Sequence, residues 1–148
     1  MSRLKQTSGE DYPEASKKHC IDARVLLDND RFGGAAYLAG YVSECICKTL
    51  IQVEEKHSDP IKTHHLDDLS SMAITLMALP NSKTARYFKN LQITGIPYDK
   101  NNSLIGWNEC LRYFPEDTIK PDKANAWVQD AERLYIEVIG GLMKDGEV

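Results

Sequence analysis

Four side chains in one stretch of the sequence are spaced for joint chemistry. Tyr37, Tyr41, Glu44 and Lys48 stand four, three and four residues apart. At the helical turn per residue, these spacings place them within about 60° of one face. Such a face offers a carboxylate and an ammonium for proton or charge work, and two phenols for stacking and hydrogen bonding. Glu44 ahead of Lys48 is also the ordinary order of a helix ion pair, worth about 0.2–0.5 kcal/mol. The tyrosines are therefore what point to a second packed surface, either a ligand groove or an interface. Further along, Arg112 and Tyr113 supply a phosphate-binding cation and a ring, and they join the face if the intervening loop folds back across it. His64 is a candidate proton carrier, although a histidine at a helix start is more often a capping or packing residue than a ligand. No cysteine or acid stands at ligand spacing from His64 and His65, so no metal centre and no cofactor is expected.

The elements that must position these groups are helices. Tyr12-Pro13-Glu14 reads as a helix start with proline in the first turn. The helix runs to about Asp28, with Ala15, Cys20, Ala23, Leu26 and Leu27 on its apolar face and Asn29-Asp30 as its stop. The second helix, over residues 31–57, opposes its polar face with an apolar arc of Ala35, Leu38, Val42, Cys45, Ile46, Leu50 and Val53. Ala36 and Gly40 lie between the two groups, where small residues allow close approach of another backbone, and Gly40 is expected to be a packing residue. After a turn at Ser58-Asp59-Pro60, Leu66, Leu69, Ala73, Leu76 and Met77 set a third helix, closed by Pro80.

Asn81-Ser82 is expected to cap a short helix over residues 83–91. From 92 to 120 the pattern is broken by Gly95, Pro97, Gly106 and Pro115, and this predicts a long irregular loop with a small hairpin, or a helical turn around Trp107 and Leu111. Loops of that length in compact domains are usually functional, which marks it as an interface or site element. Pro121 opens the last helix, striped by Ala124, Trp127, Val128, Ala131, Leu134, Tyr135, Val138 and Leu142. The fold class predicted is all-α, an antiparallel bundle of four to five helices, in one domain over residues 11–146 with a polar, frayed segment at 1–10.

Composition narrows the function classes. At 148 residues, 42% hydrophobic and 27% charged, the chain has the make-up of one globular core. A net charge of −4 and a pI near 5.5 oppose a generic nucleic-acid coat, unless cations cluster locally. The longest nearly apolar run, residues 74–80, is far too short for a membrane span, and the polar start lacks a signal-peptide core, so a cytoplasmic location is expected. Cys45 and Cys47, two apart, diverge on a helix and cannot grip one ion. All four cysteines, with Cys20 and Cys110, are expected as reduced, buried thiols. Glu54-Glu55, Asp67-Asp68 and Glu116-Asp117 read as solvated surface, the last pair also as a cap for the final helix.

The run Ala23-Arg24-Val25-Leu26-Leu27, then Gly34-Ala35-Ala36-Tyr37-Leu38-Ala39-Gly40-Tyr41-Val42-Ser43-Glu44-Cys45 and Lys48, resembles the first two helices of HEPN proteins (higher eukaryotes and prokaryotes nucleotide-binding). Their second helix reads close to A-Y-L-A-G-Y-x-x-E-x-x-x-K. His64-His65-Leu66 with Leu69, and Trp107 with Arg112-Tyr113, follow in that family's order. The resemblance covers roughly residues 15–145. It implies an antiparallel, commonly dimeric bundle. It also implies one of several roles: an RNase of toxin–antitoxin, phage-defence or CRISPR systems, a nucleotide binder, or a non-catalytic partner, sometimes of a minimal nucleotidyltransferase.

The family's catalytic members share an R-x(4–6)-H motif in which arginine holds a phosphate and histidine moves a proton. Here Arg112 stands at the arginine, but Asp117, Thr118 and Ile119 occupy the histidine positions. The reading that follows is a HEPN-like, homodimeric, nucleotide- or RNA-associated protein of a bacterial defence or toxin–antitoxin module, without the standard RNase centre. Two alternatives stand beside it. One is a divergent metal-independent RNase using Arg112 with Glu44, Lys48 or His64. The other is a dimerisation or adaptor domain whose polar face is the interface.

Overall fold

A computed structural model describes residues 1–56, 60–87 and 107–148. Four helices build it: α1 (Tyr12–Asp28), α2 (Phe32–Glu55), α3 (Leu66–Met77) and α4, which runs over Pro121–Leu134, widens into a π turn at Tyr135–Ile139 and closes over Gly140–Lys144. The protein is an all-helical bundle, and the described residues contain no strand. Short 3₁₀ turns at Ala85–Tyr87, Glu109–Tyr113 and Glu116–Thr118 connect the last two helices as far as the chain is described.

The helix limits have local causes. The Asp11 side chain accepts from the Glu14 amide at the start of α1, where Pro13 costs no intrahelical bond. Asn29 and Asp30 end it, with Asp30 at φ 57°, so only three residues separate α1 from an antiparallel α2. Lys56 closes α2 in the left-handed region at φ 51°, its amide bonded to the Gln52 carbonyl. The Ser58-Asp59 turn lies outside the described residues. Of the helix expected over 83–91, the 3₁₀ turn Ala85–Tyr87 is seen and the remainder from 88 lies outside the described residues, as do Gly95, Pro97 and Gly106. The helical turn expected near Trp107 is present as Glu109–Tyr113, capped by the Asn108 side chain on the Cys110 amide.

The bundle is built around α2, which packs against α1, α3, α4 and the turns at 109–113 and 116–118. Residues 42–53 of α2 are buried on every side. Its apolar arc meets Leu69, Ala73, Val128, Leu134 and Val138 in one core. Gly40 is a contact point as expected: a Cβ there would overlap the indole of Trp107, which instead lies flat on the helix and donates Nε1–H to the Tyr37 carbonyl at 2.9 Å. Arg24 clamps α1 to α4 through two bonds to the Glu132 carboxylate, at 2.7 and 2.5 Å.

Three expectations are corrected here. Residues 1–10 are not frayed: Gln52 donates to the Leu4 carbonyl at 2.8 Å, Arg3 reaches the Gly146 carbonyl at 2.9 Å, and Gln6 is buried. Polar side chains hold most of this segment and Leu4 is its one apolar side chain packed on the core, so no apolar pattern revealed that it docks. Glu116 is not a cap for α4. Its carboxylate accepts from the Gly33 amide at 3.1 Å and faces Arg31, so it neutralises the uncapped start of α2.

Glu54, likewise, is not simple solvated surface, because its Oε1 accepts from the Thr84 amide, the Thr84 hydroxyl and the Ser82 hydroxyl at 2.6–2.7 Å. Burial alone would raise the Glu54 carboxyl, but these bonds outweigh it and hold the pKa below the usual carboxylate value. A lowered pKa means stability that is present above the unfolded value of about 4.3 and lost as pH falls through the folded one. Glu54→Gln should accordingly be less stable than the parent at pH 7, with the gap closing towards about pH 3 in denaturant titrations.

Candidate functional site

The polar residues of α2 divide into two neighbouring groups. The deeper one centres on Glu44, whose side chain is 3% exposed against 5% for Lys48. Their ion pair, Lys48 Nζ to Glu44 Oε1 at 2.8 Å, is thus interior and not the surface pair that the i, i+4 spacing suggests. The same oxygen lies 2.9 Å from His64 Nδ1, while Glu44 Oε2 is buried without a hydrogen-bond partner among the described residues.

The lid over this pair comes from α1. The Tyr12 ring sits beneath the Lys48 ammonium at 5.4 Å, and its hydroxyl accepts from the Ile61 amide at 2.8 Å, tying down the chain that leads to His64. His19 packs its ring against Tyr41 at 5.5 Å between centroids. Burial, reinforced by Lys18, pulls the His19 pKa down and favours the neutral ring. The α1 face in contact centres on Tyr12, Ser16, Ala23 and Leu27 with His19 beside them; of the expected apolar face Ala23 and Leu27 are buried and Cys20 and Leu26 pack against the core. Tyr12 and His19 are thus residues that sequence reasoning missed. Their spacings of four and three from Ser16 were the available signal.

The shallower group begins where Tyr37 donates its hydroxyl to Tyr41 at 3.1 Å. The two rings meet edge-to-face at 5.0 Å, and Trp107 stacks beside Tyr37 and edge-on to Tyr41. Burial, then the Tyr37 hydroxyl, raise the Tyr41 phenol well above its ordinary pKa, so it stays protonated. The turn after Trp107 brings Arg112 to this end. Arg112 is exposed, its guanidinium 5.0 Å from the Tyr113 ring, and the phenols of Tyr113, Tyr37 and Tyr41 favour its charged form. Gly33, Gly34, Tyr37, Leu111, Arg112 and Phe114 line a cavity of about 220 Å³. Tyr113 and Phe114 remain 74% and 47% exposed.

The folded-back segment therefore does bring Arg112 to Tyr37, whereas Tyr113 points its ring to solvent beside Arg112. Glu44 and Lys48 are reached from the side of His64, which is 55% exposed. At the positions of the absent catalytic histidine, Asp117 is exposed, Thr118 lines the small cavity and Ile119 is buried in the core. His65 precedes α3 without a side-chain cap bond. Among the described residues no group of three or more His, Cys, Asp or Glu side chains is arranged to hold a metal. The cysteines are free thiols. Cys45 and Cys47 are buried, which pushes each up to about 12, while Cys110 is exposed. No helix among the described residues is long and apolar enough to cross a membrane.

Compared with known proteins, the chain matches no family model, no curated protein and no solved structure.

Proposed function

We propose that this chain is a HEPN-like helical protein that binds single-stranded RNA or a nucleotide at the Tyr37, Tyr41 and Arg112 end of α2. In this reading it is a homodimeric member of a bacterial defence or toxin–antitoxin module and lacks the standard RNase centre. The observation that carries it is Arg112: an exposed guanidinium beside tyrosine rings, with no carboxylate at ion-pair distance among the described residues, next to two exposed aromatic side chains. A guanidinium that keeps donors for a phosphate beyond its bond to Tyr113, with rings on which a base can stack, supplies the parts a single-strand site needs. The motif on α2 and the missing histidine partner of Arg112 support the family and the non-catalytic assignment.

Arg112 and Tyr113 are both exposed, so replacing either leaves the core intact. Arg112→Ala and Tyr113→Ala should each weaken binding of a labelled mixed-sequence RNA by about 5- to 150-fold, the range of losing one base-stacking or phosphate contact. Unchanged affinity in both variants would remove the site. Robust cleavage abolished by Arg112→Ala would remove the non-catalytic assignment.

One observation favours the catalytic alternative. A buried carboxylate holds His64 by Nδ1 while the ring stays half in solvent, which is how a general acid–base histidine is oriented. In that case RNA incubated with the protein yields cyclic-phosphate ends that disappear in His64→Ala.

A further inference from the structure

The far end of α2 carries a groove of a different character. Residues 3–7 run beside the last turn of α2 and enclose about 380 Å³, with Arg3, Lys5, Gln6, Lys56, Lys83 and Glu147 in the walls. Four cations against one carboxylate leave three positive charges facing one space, in a chain whose net charge is −4. Lys83 is paired with Glu147 at 3.2 Å, and Arg3 is bonded to the uncharged Gly146 carbonyl. Lys5 and Lys56 have no carboxylate at ion-pair distance among the described residues. The nearby acid Glu54 is already engaged by Ser82 and Thr84.

The second observation is Gln6. It is 6% exposed, yet its Nε2 donor has no acceptor among the described residues. Buried amide donors are almost always satisfied, so an unpaired one in the wall of a cationic groove points to an acceptor supplied from outside. The carbonyl end of α2 disfavours an anion here, but that effect is confined to the final turn, where Lys56 already donates its amide to Gln52. Three surplus charges outweigh it.

We propose that this groove binds a condensed phosphate chain of about tripolyphosphate size, either free or carried by a nucleoside triphosphate. Lys5, Lys56 and Arg3 meet the phosphate oxygens and the Gln6 amide donates to one of them. The site is independent of the tyrosine end. Nineteen residues separate Tyr37 from Lys56, a rise of about 28 Å along a helix.

The test is calorimetric titration of the full chain with tripolyphosphate, ATP and adenosine. Tripolyphosphate and ATP should bind and adenosine should not, and affinity for both should fall as salt rises. In the Arg112→Ala background, where the tyrosine end is disabled, ATP binding more tightly than tripolyphosphate assigns the chain to a nucleotide; equal or weaker binding assigns it to free condensed phosphate. Lys5→Glu combined with Lys56→Glu, both at exposed positions, should weaken tripolyphosphate at least tenfold with an unchanged circular dichroism spectrum, and Arg112→Ala should leave it unaltered. Absence of tripolyphosphate binding at millimolar concentration overturns the proposal. So does an affinity that the charge reversals leave intact, or one that Arg112→Ala abolishes.

Discussion

Glu44→Ala should lower the unfolding free energy by about 3–5 kcal/mol, the usual cost of stranding one member of a buried ion pair. With roughly 2–4 °C lost per kcal/mol in a domain of this size, a melting scan would show a drop of about 6–20 °C. Lys48 would be left buried against α1, beside the Tyr12 ring, without its paired carboxylate. The companion measurement separates charge from packing: Glu44→Leu with Lys48→Met, which removes both charges and keeps the volume, should lie near the parent or above it. A loss under about 1 kcal/mol in Glu44→Ala would mean that the pair behaves as an exposed one.

The other large effect is expected where Trp107 crosses α2. Trp107→Ala should cost about 3–5 kcal/mol, because a mostly buried indole is lost together with its bond to the Tyr37 carbonyl. Gly40→Val should approach that loss by a different route, since its side chain claims the space of the ring. The roughly 1 kcal/mol that leaving glycine returns in helix propensity does not compensate. Both variants should also weaken RNA binding, because the turn that carries Arg112 starts at the indole. Combined, the two replacements should cost clearly less than their sum, since valine then enters the space that tryptophan vacates; urea titrations of the four proteins read the difference.

Helix periodicity made α1 to α4 legible to within a few residues, because each has one strongly apolar stripe. Gly40 was legible as a contact point for the same reason: a glycine inside a helix must justify its cost. Which element would reach it was not, since Trp107 lies 67 positions later and no local rule links them. The polar face of α2 was read as a second packed surface, a groove or an interface, but what covers its inner half was not legible, because Tyr12, Ser16 and His19 on α1 do not look like a lid to a search for apolar stripes. Burial turned Glu44 and Lys48 from a weak surface pair into an interior one. The docking of residues 1–10 was hidden similarly: apart from Leu4 it rests on polar contacts such as Gln52 and Arg3 on backbone carbonyls, which leave no hydrophobic pattern.

The buried seam between α1 and α2 has a consequence for uniqueness. Two helices joined by apolar stripes alone can slip past each other by one turn, about 5.4 Å, and still bury comparable area. Lys48 over the Tyr12 ring, with the Tyr12 hydroxyl on the Ile61 amide, is matched at a single offset, so a shifted arrangement would break both contacts and leave the buried pair without the ring that receives it. The apolar double replacement at 44 and 48 is thus expected to trade singularity for strength: a bundle at least as hard to unfold, with broadened or doubled amide resonances along α1 where the parent shows one set.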